Sequence, residues 1–289
     1  MITKRRYKIL EDFTRVHNFL TETYEFGSII LPQVFEYAHM HGAFEWFKTH
    51  HFGIWEDDGK IIGATFFEMD MGYAYLHTHK DYRFLLPEIL EWAERELYSE
   101  EDGKRLLEIE ISENEHDKRE LLKSFGYSCI STGGLWNIFP YDKLFPECKL
   151  PEGFTIIDGT NVDYLKLHHC WYLGFDHSET PNDNFDCRVF SWNNPSANST
   201  FLTIVVAPTG EYACALGMWV DETNKYAYLE PLATIPKYRR MGLAKVCLIE
   251  AMKKTKALGA KYCIGGDREF YTDIGFETMF TDETWEKEW

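Results

Sequence analysis

Where the chain reads Arg239-Arg240-Met241-Gly242-Leu243-Ala244-Lys245, a glycine and a small residue two positions apart open a segment with an apolar stripe. A helix starting there leaves its first N–H groups without intrahelical acceptors, and the helix dipole favours a phosphate or pyrophosphate beside them. Glycine matters because a side chain would hinder the approach of an anion to the backbone. On these grounds alone two readings stand: an anion cradle, or an ordinary helix start rich in Arg and Gly.

Such a loop needs a strand before it and a helix after it, and the pattern supplies both. Tyr226 to Thr234 reads as a strand; Gly242 to Leu258 reads as a helix, with Leu243, Val246, Cys247, Ile249 and Met252 as its apolar stripe and Gly259 as its stop. Upstream, Asn161 to Leu173 has near-helical apolar spacing. Phe201 to Ala207 and Tyr212 to Val220 flank the turn Pro208-Thr209-Gly210 as a hairpin. Downstream, Lys261 to Ile264 is a further strand before Gly265-Gly266. The order predicts a mixed α/β unit around a mostly antiparallel sheet.

The first half of the chain repeats this plan faintly. Tyr73-Ala-Tyr-Leu76 recurs as Tyr226-Ala-Tyr-Leu229, and Tyr82-Arg83 as Tyr238-Arg239. Gly59 to Ala64 parallels Gly210 to Ala215, and Ser124 to Tyr127 parallels Asp273 to Phe276. The matches keep their order at offsets of 149 to 156 residues, which predicts an internal duplication. Pro140, Pro146 and Pro151 mark a connection between halves. The expected domains are therefore 1–145 and 146–289. In the first of them Phe84-Leu85-Leu86-Pro87 stands where the second has its glycine and alanine, and Leu122 stands where the second has Tyr271.

Composition narrows the field. The 289 residues carry a formal charge of −17, which disfavours a sequence-independent grip on nucleic acid and gives a soft preference for cationic partners. Seven cysteines without a C-x-x-C pair predict reduced thiols rather than a disulfide framework or zinc knuckle. The histidine pairs His39/His41, His50/His51, His77/His79 and His168/His169 lack a matching carboxylate or cysteine spacing, so no metal is expected. No stretch approaches the roughly 20 apolar residues that span a membrane. Met1 to Phe13 lacks the apolar run of a signal peptide. A cytoplasmic monomer or homodimer without membrane contact is the expectation.

Glu230 to Lys245, the helix after it, and Phe270-Tyr271-Thr272-Asp273-Ile274-Gly275-Phe276 together resemble the GNAT family of N-acetyltransferases. The first stretch is similar to that family's acetyl-CoA motif, R/Q-x-x-G-x-G/A, and the last to its F-Y-x-x-x-G-F motif. The resemblance covers roughly 151–289 and implies two tandem GNAT-like domains, the first degenerate. It implies that backbone groups of Leu232, Ala233 and Thr234 meet the pantetheine arm of acetyl-CoA, and that Arg239, Arg240, Met241, Gly242, Leu243, Ala244 and Lys245 surround the pyrophosphate. The strands carrying Glu230 and Cys263 are expected to splay and admit the thioester.

The same resemblance implies an acetyl transfer to a primary amine of a small molecule by direct attack, with acetyl-CoA as co-substrate. Tyr271 then protonates the departing thiolate, or else merely lines the site; Glu230 deprotonates the amine, or else only terminates a strand. Trp171, Phe175 and Asp176 fall where the family's substrate-covering segment begins, as an aromatic wall and an amine partner or as ordinary helix-end packing. The alternatives are a non-catalytic acyl-CoA-binding module and an acetyltransferase of protein N-termini or lysines.

Overall fold

A computed structural model describes residues 1–39, 46–181, 183, 194–197 and 199–289. His41 and Cys187 lie outside the described residues. The chain folds as two compact units: residues 1–135 with 279–289, and residues 136–278. This differs from a cut at 145/146, because residues 136–145 belong to the second unit and residues 279–289 to the first.

The first unit contains β1 (Ile2–Arg6), α1 (Ile9–Glu22), α2 (Pro32–Ala38), β2 (Gly53–Asp57), β3 (Lys60–Phe66) and β4 (Tyr73–Thr78). It continues with α3 (Leu86–Glu96), β5 (Ser99–Glu101), β6 (Lys104–Ser112) and α4 (His116–Ser124). Two strands, β7 (Ser128–Pro140) and the last one, β13 (Glu277–Glu288), each contribute to both units. The sheet order here is β1-β2-β3-β4-β6-β13. Asp58-Gly59, both with positive φ, closes the two-residue β2–β3 hairpin, the conformation that matches strand twist.

The second unit holds β8 (Thr155–Asp158), α5 (Tyr164–Gly174), β9 (Thr203–Val206), β10 (Tyr212–Asp221), β11 (Tyr226–Thr234), α6 (Leu243–Ala257), β12 (Tyr262–Gly265) and α7 (Glu269–Ile274). Its strands run in the order β7-β12-β11-β10-β9-β8. Among the described residues of this unit only β11 and β12 pair in parallel, joined by the α6 crossover; the other neighbours are antiparallel. The mixed α/β architecture expected from the sequence is the one found. Both α5 and α6 pack on β10, so all ten of its residues are buried. That is why Tyr212–Asp221 reads as a nearly continuous apolar run. Leu216, Met218 and Leu229 meet Cys247, Met252 and Cys263 in the core.

Candidate functional site

The site begins where the sheet comes apart. β11 and β12 pair at Tyr226↔Tyr262, Ala227↔Cys263 and Tyr228↔Ile264, and there the ladder ends. Against β10, β11 slips register between Leu216↔Leu232 and Met218↔Leu229, so Glu230-Pro231 carries one residue more than its partner. Proline has no N–H to offer a ladder, which suits such a bulge. The indole N–H of the buried Trp219 donates to the Glu230 carbonyl at 2.7 Å and fixes the bulge from behind. Beyond it, Ile235 donates to the Ala213 carbonyl at 3.0 Å. Backbone groups alternate along a strand, so Ala233 also faces β10 while Leu232 and Thr234 face the opening. Ala233 was expected to offer its backbone to a ligand; its place in the β10 ladder prevents that.

From Thr234 the chain makes a tight turn at Pro236–Tyr238 and enters α6 through two residues with left-handed φ, Arg240 at +64° and Gly242 at +78°. Among the described residues no side chain caps this helix start. A Cβ at Gly242 would meet no atom within 4 Å and would project into open space. The glycine therefore serves both the backbone conformation and an unobstructed approach.

These elements enclose a cleft of 920 Å³. Glu230, Leu232, Ala233 and Thr234 line it from β11, and Arg239, Arg240, Gly242, Leu243, Ala244 and Lys245 from the loop and helix start. Tyr271 of α7, Phe175 and Asp176 complete the set foreseen from the sequence. Two expected residues are elsewhere. Trp171 is 4% exposed and sits on the buried side of α5 with Leu167 and Cys170, so it packs the unit instead of the cleft. Met241 is 42% exposed and is not among the residues that line it.

The Asp176 carboxylate, expected to meet an amine, is taken by Arg239 at 2.9 and 3.0 Å. Arg239 also donates to the carbonyls of Gly174 at 2.9 Å and Thr234 at 3.2 Å. Its side chain is thus engaged by the protein, while Arg240, Lys245 and Arg268 are the remaining cations of the lining. Tyr271 is 8% exposed, its ring set edge-on to Phe270 and Phe276. Burial, and then the nearby Glu230 carboxylate, push its phenol well above the ordinary tyrosine range.

Sequence reasoning missed Gly174, Gly266 and Arg268 as wall residues. A Cβ at Gly174 would lie 2.7 Å from that of Ala233, so this glycine, the last residue of α5, lets the helix approach β11. The Gly265-Gly266 pair before an aromatic helix was the available signal for the second. Of the histidines foreseen as non-metal, His77 meets Thr23 at 2.7 Å and His169 meets Asp183 at 3.0 Å. Among the described residues no group of three or more His, Cys, Asp or Glu side chains is placed to hold a metal, and no helix is long and apolar enough to cross a membrane.

No curated protein matches the chain by sequence. Its fold is similar to that of a tandem GNAT protein from the clavulanic acid biosynthesis pathway (12% identity, 100% of this chain and 98% of that one, TM-score 0.64). It is similar as well to a GCN5-related N-acetyltransferase from Sphaerobacter thermophilus (13% identity, 99% and 95%, TM-score 0.60). A GNAT-family acetyltransferase from Colwellia psychrerythraea is likewise similar (12% identity, 98% and 99%, TM-score 0.60). At such identities the likeness is one of fold. By sequence, residues 164–276, which build nearly all of the cleft, match the family model of the acetyltransferase (GNAT) family.

Proposed function

We propose that the second unit is an acetyl-CoA-dependent N-acetyltransferase acting on a primary amine of a small molecule by direct attack. The observation that carries this is the open ladder: Leu232 and Thr234 present strand backbone groups to a cleft that runs from the Gly242 helix start to Tyr271. An extended, amide-bearing arm fits such an edge as an added strand does, and its diphosphate fits the uncapped first turn of α6. Arg240 and Lys245 add cationic charge there, and the bare Gly242 leaves room for the phosphate oxygens.

When bound, acetyl-CoA supplies an activated acyl carbon, to which the amine nitrogen bonds as the carbon–sulfur bond breaks. The protein's own groups handle the protons. Glu230 takes one from the attacking ammonium, and Tyr271 holds one at its phenol oxygen for the leaving sulfur. Tyr271 is protonated at neutral pH, as an ordinary tyrosine already is, and so has a proton to donate. Phe175 and Phe270 give the cleft aromatic walls. The anionic chain favours a cationic acceptor.

The first unit is proposed to have lost this capacity. Its β4–β6 ladder also ends early, at Ala74↔Ile109, but ion-paired side chains stand about the His77–Thr78 end of β4. Arg83 binds Asp117 at 3.0 Å and Glu25 at 3.5 Å, and Lys118 binds Glu115 at 2.6 Å, leaving a cavity of 150 Å³. One acetyl-CoA per chain is expected. Thiol release from acetyl-CoA across a panel of amines, with calorimetric stoichiometry, tests both statements. Binding without amine-dependent thiol release would replace the enzyme by an acyl-CoA-binding module, and a stoichiometry of two would refute the lost site.

A further inference from the structure

Behind Tyr271 lies a backbone floor. Gly265 pairs with Asn137 in the β12–β7 ladder, and the fully buried Asn137 donates from Nδ2 to the Gly266 carbonyl at 2.9 Å. The Phe276 ring confines Gly265 from another side, where a Cβ would come within 2.5 Å of it. This stretch of chain therefore has little freedom to move.

The Tyr271 ring rests directly on it. A Cβ at Gly266 would fall 2.7 Å from Cε2 of that ring and 3.2 Å from Cζ, the carbon bearing the hydroxyl. Gly266 has no left-handed φ, and the three atoms nearest to its would-be Cβ all belong to that ring. Phe270 and Phe276 hold the ring with centroids 5.1 and 5.4 Å away. A methyl group at Gly266 therefore has to displace the phenol rather than the floor.

We propose that Gly266, held by the Asn137 amide, is the positioning residue for the Tyr271 hydroxyl: its bare backbone sets how deep the ring sits and so where the phenol proton is held. This rests on Tyr271 being the proton donor of the proposed reaction. The glycine touches no reacting atom itself and acts only through the ring.

The test uses the full chain as Gly266→Ala, Asn137→Ala, Tyr271→Phe and the two double variants with Tyr271→Phe. Gly266→Ala is expected to lower kcat by about 10- to 100-fold with KM for acetyl-CoA kept within about twofold, the signature of a misplaced catalytic group. In the Tyr271→Phe background the same substitution should cost nothing further. In the free protein, NMR of ring-labelled tyrosine should show the Tyr271 resonance, identified by its loss in Tyr271→Phe, displaced by Gly266→Ala.

If Gly266→Ala fails to fold, Asn137→Ala carries the test. It adds no bulk, releases the floor, and should lower kcat only while Tyr271 is present. Wild-type kcat and an unmoved resonance, with Tyr271→Phe impaired, would overturn the positioning role and leave the donor reading intact. Equal losses in both backgrounds overturn it too, by assigning the effect to general damage. Full turnover in Tyr271→Phe removes the donor reading and this inference together.

Discussion

The guanidinium of Arg239 closes on both carboxylate oxygens of Asp176 while also holding the carbonyls of Gly174 and Thr234. One side chain thus ties the end of α5 to the end of β11, the two elements that bound the cleft mouth. Truncating it removes a charged donor from two backbone acceptors, whereas truncating Asp176 removes only an exposed ion pair. Arg239→Ala should cost about 1–2 kcal/mol in urea unfolding and Asp176→Ala no more than about 1 kcal/mol. Equal losses would show that the ion pair, not the carbonyl bonds, does the tying.

The two ends of α6 offer a matched comparison. Gly242 and Gly259 have φ of +78° and +94°, and a Cβ at either meets nothing within 4 Å. Alanine at each should destabilise by about 1 kcal/mol through backbone strain alone. Only Gly242→Ala should also weaken acetyl-CoA binding, by about tenfold or more, equivalent to about 1.4 kcal/mol. Calorimetric titration of both variants checks this; equal affinities would remove the first turn of α6 from the binding site.

Tyr271→Phe should lower kcat far more than acetyl-CoA affinity. The pH profile carries a sign as well. Burial and the Glu230 carboxylate both hold the phenol protonated, so the rate should not fall on the alkaline side until beyond the ordinary tyrosine range. Glu230→Gln removes one of the two causes and should move that alkaline fall to lower pH in whatever activity remains. An alkaline limb unmoved by Glu230→Gln would mean the limb belongs to another group.

A buried acid in the first unit gives a stability prediction. Glu110 of β6 accepts from the Tyr73 hydroxyl, and burial, with Asp282 adding to it, pushes its carboxyl up to about 7. Between the ordinary carboxylate range and that value the folded chain keeps a proton that the unfolded chain has lost. Stability contributed by this group therefore falls as pH rises through the window and levels off above it. Comparing denaturation at about pH 5 and about pH 8, Glu110→Gln should show a flatter dependence than the parent. An unchanged slope would place the titration elsewhere.

The second unit's strands and α6 were legible because their signals are local: the Pro208-Thr209-Gly210 turn, the apolar stripe from Leu243 to Met252, and Gly259 after it. The helix near 161 began three residues later than its spacing suggested, since Asp163 caps it by accepting from Leu165 and Lys166, and Gly159–Asn161 forms a separate turn. What escaped depended on tertiary contact. No pattern says that α5 buries Trp171 and leaves Phe175 at the cleft, or that Asp176 faces Arg239. Prolines marked a plausible seam near 145, but membership of residues 136–140 and 279–289 is set by strand pairing across long stretches of sequence.

That late strand has a consequence for synthesis. Residues 279–289 complete the first unit by pairing from Asp282↔Ser112 to Glu288↔Leu106. The first 135 residues therefore leave the ribosome with β6 paired to β4 and β5 but not to β13, and they wait through translation of the whole second unit for it. An unpaired strand edge recruits other strands, so the nascent chain spends that interval as a target for mispairing and for chaperones. A stop codon anywhere before residue 279 would leave the first unit open, however complete the cleft of the second had become.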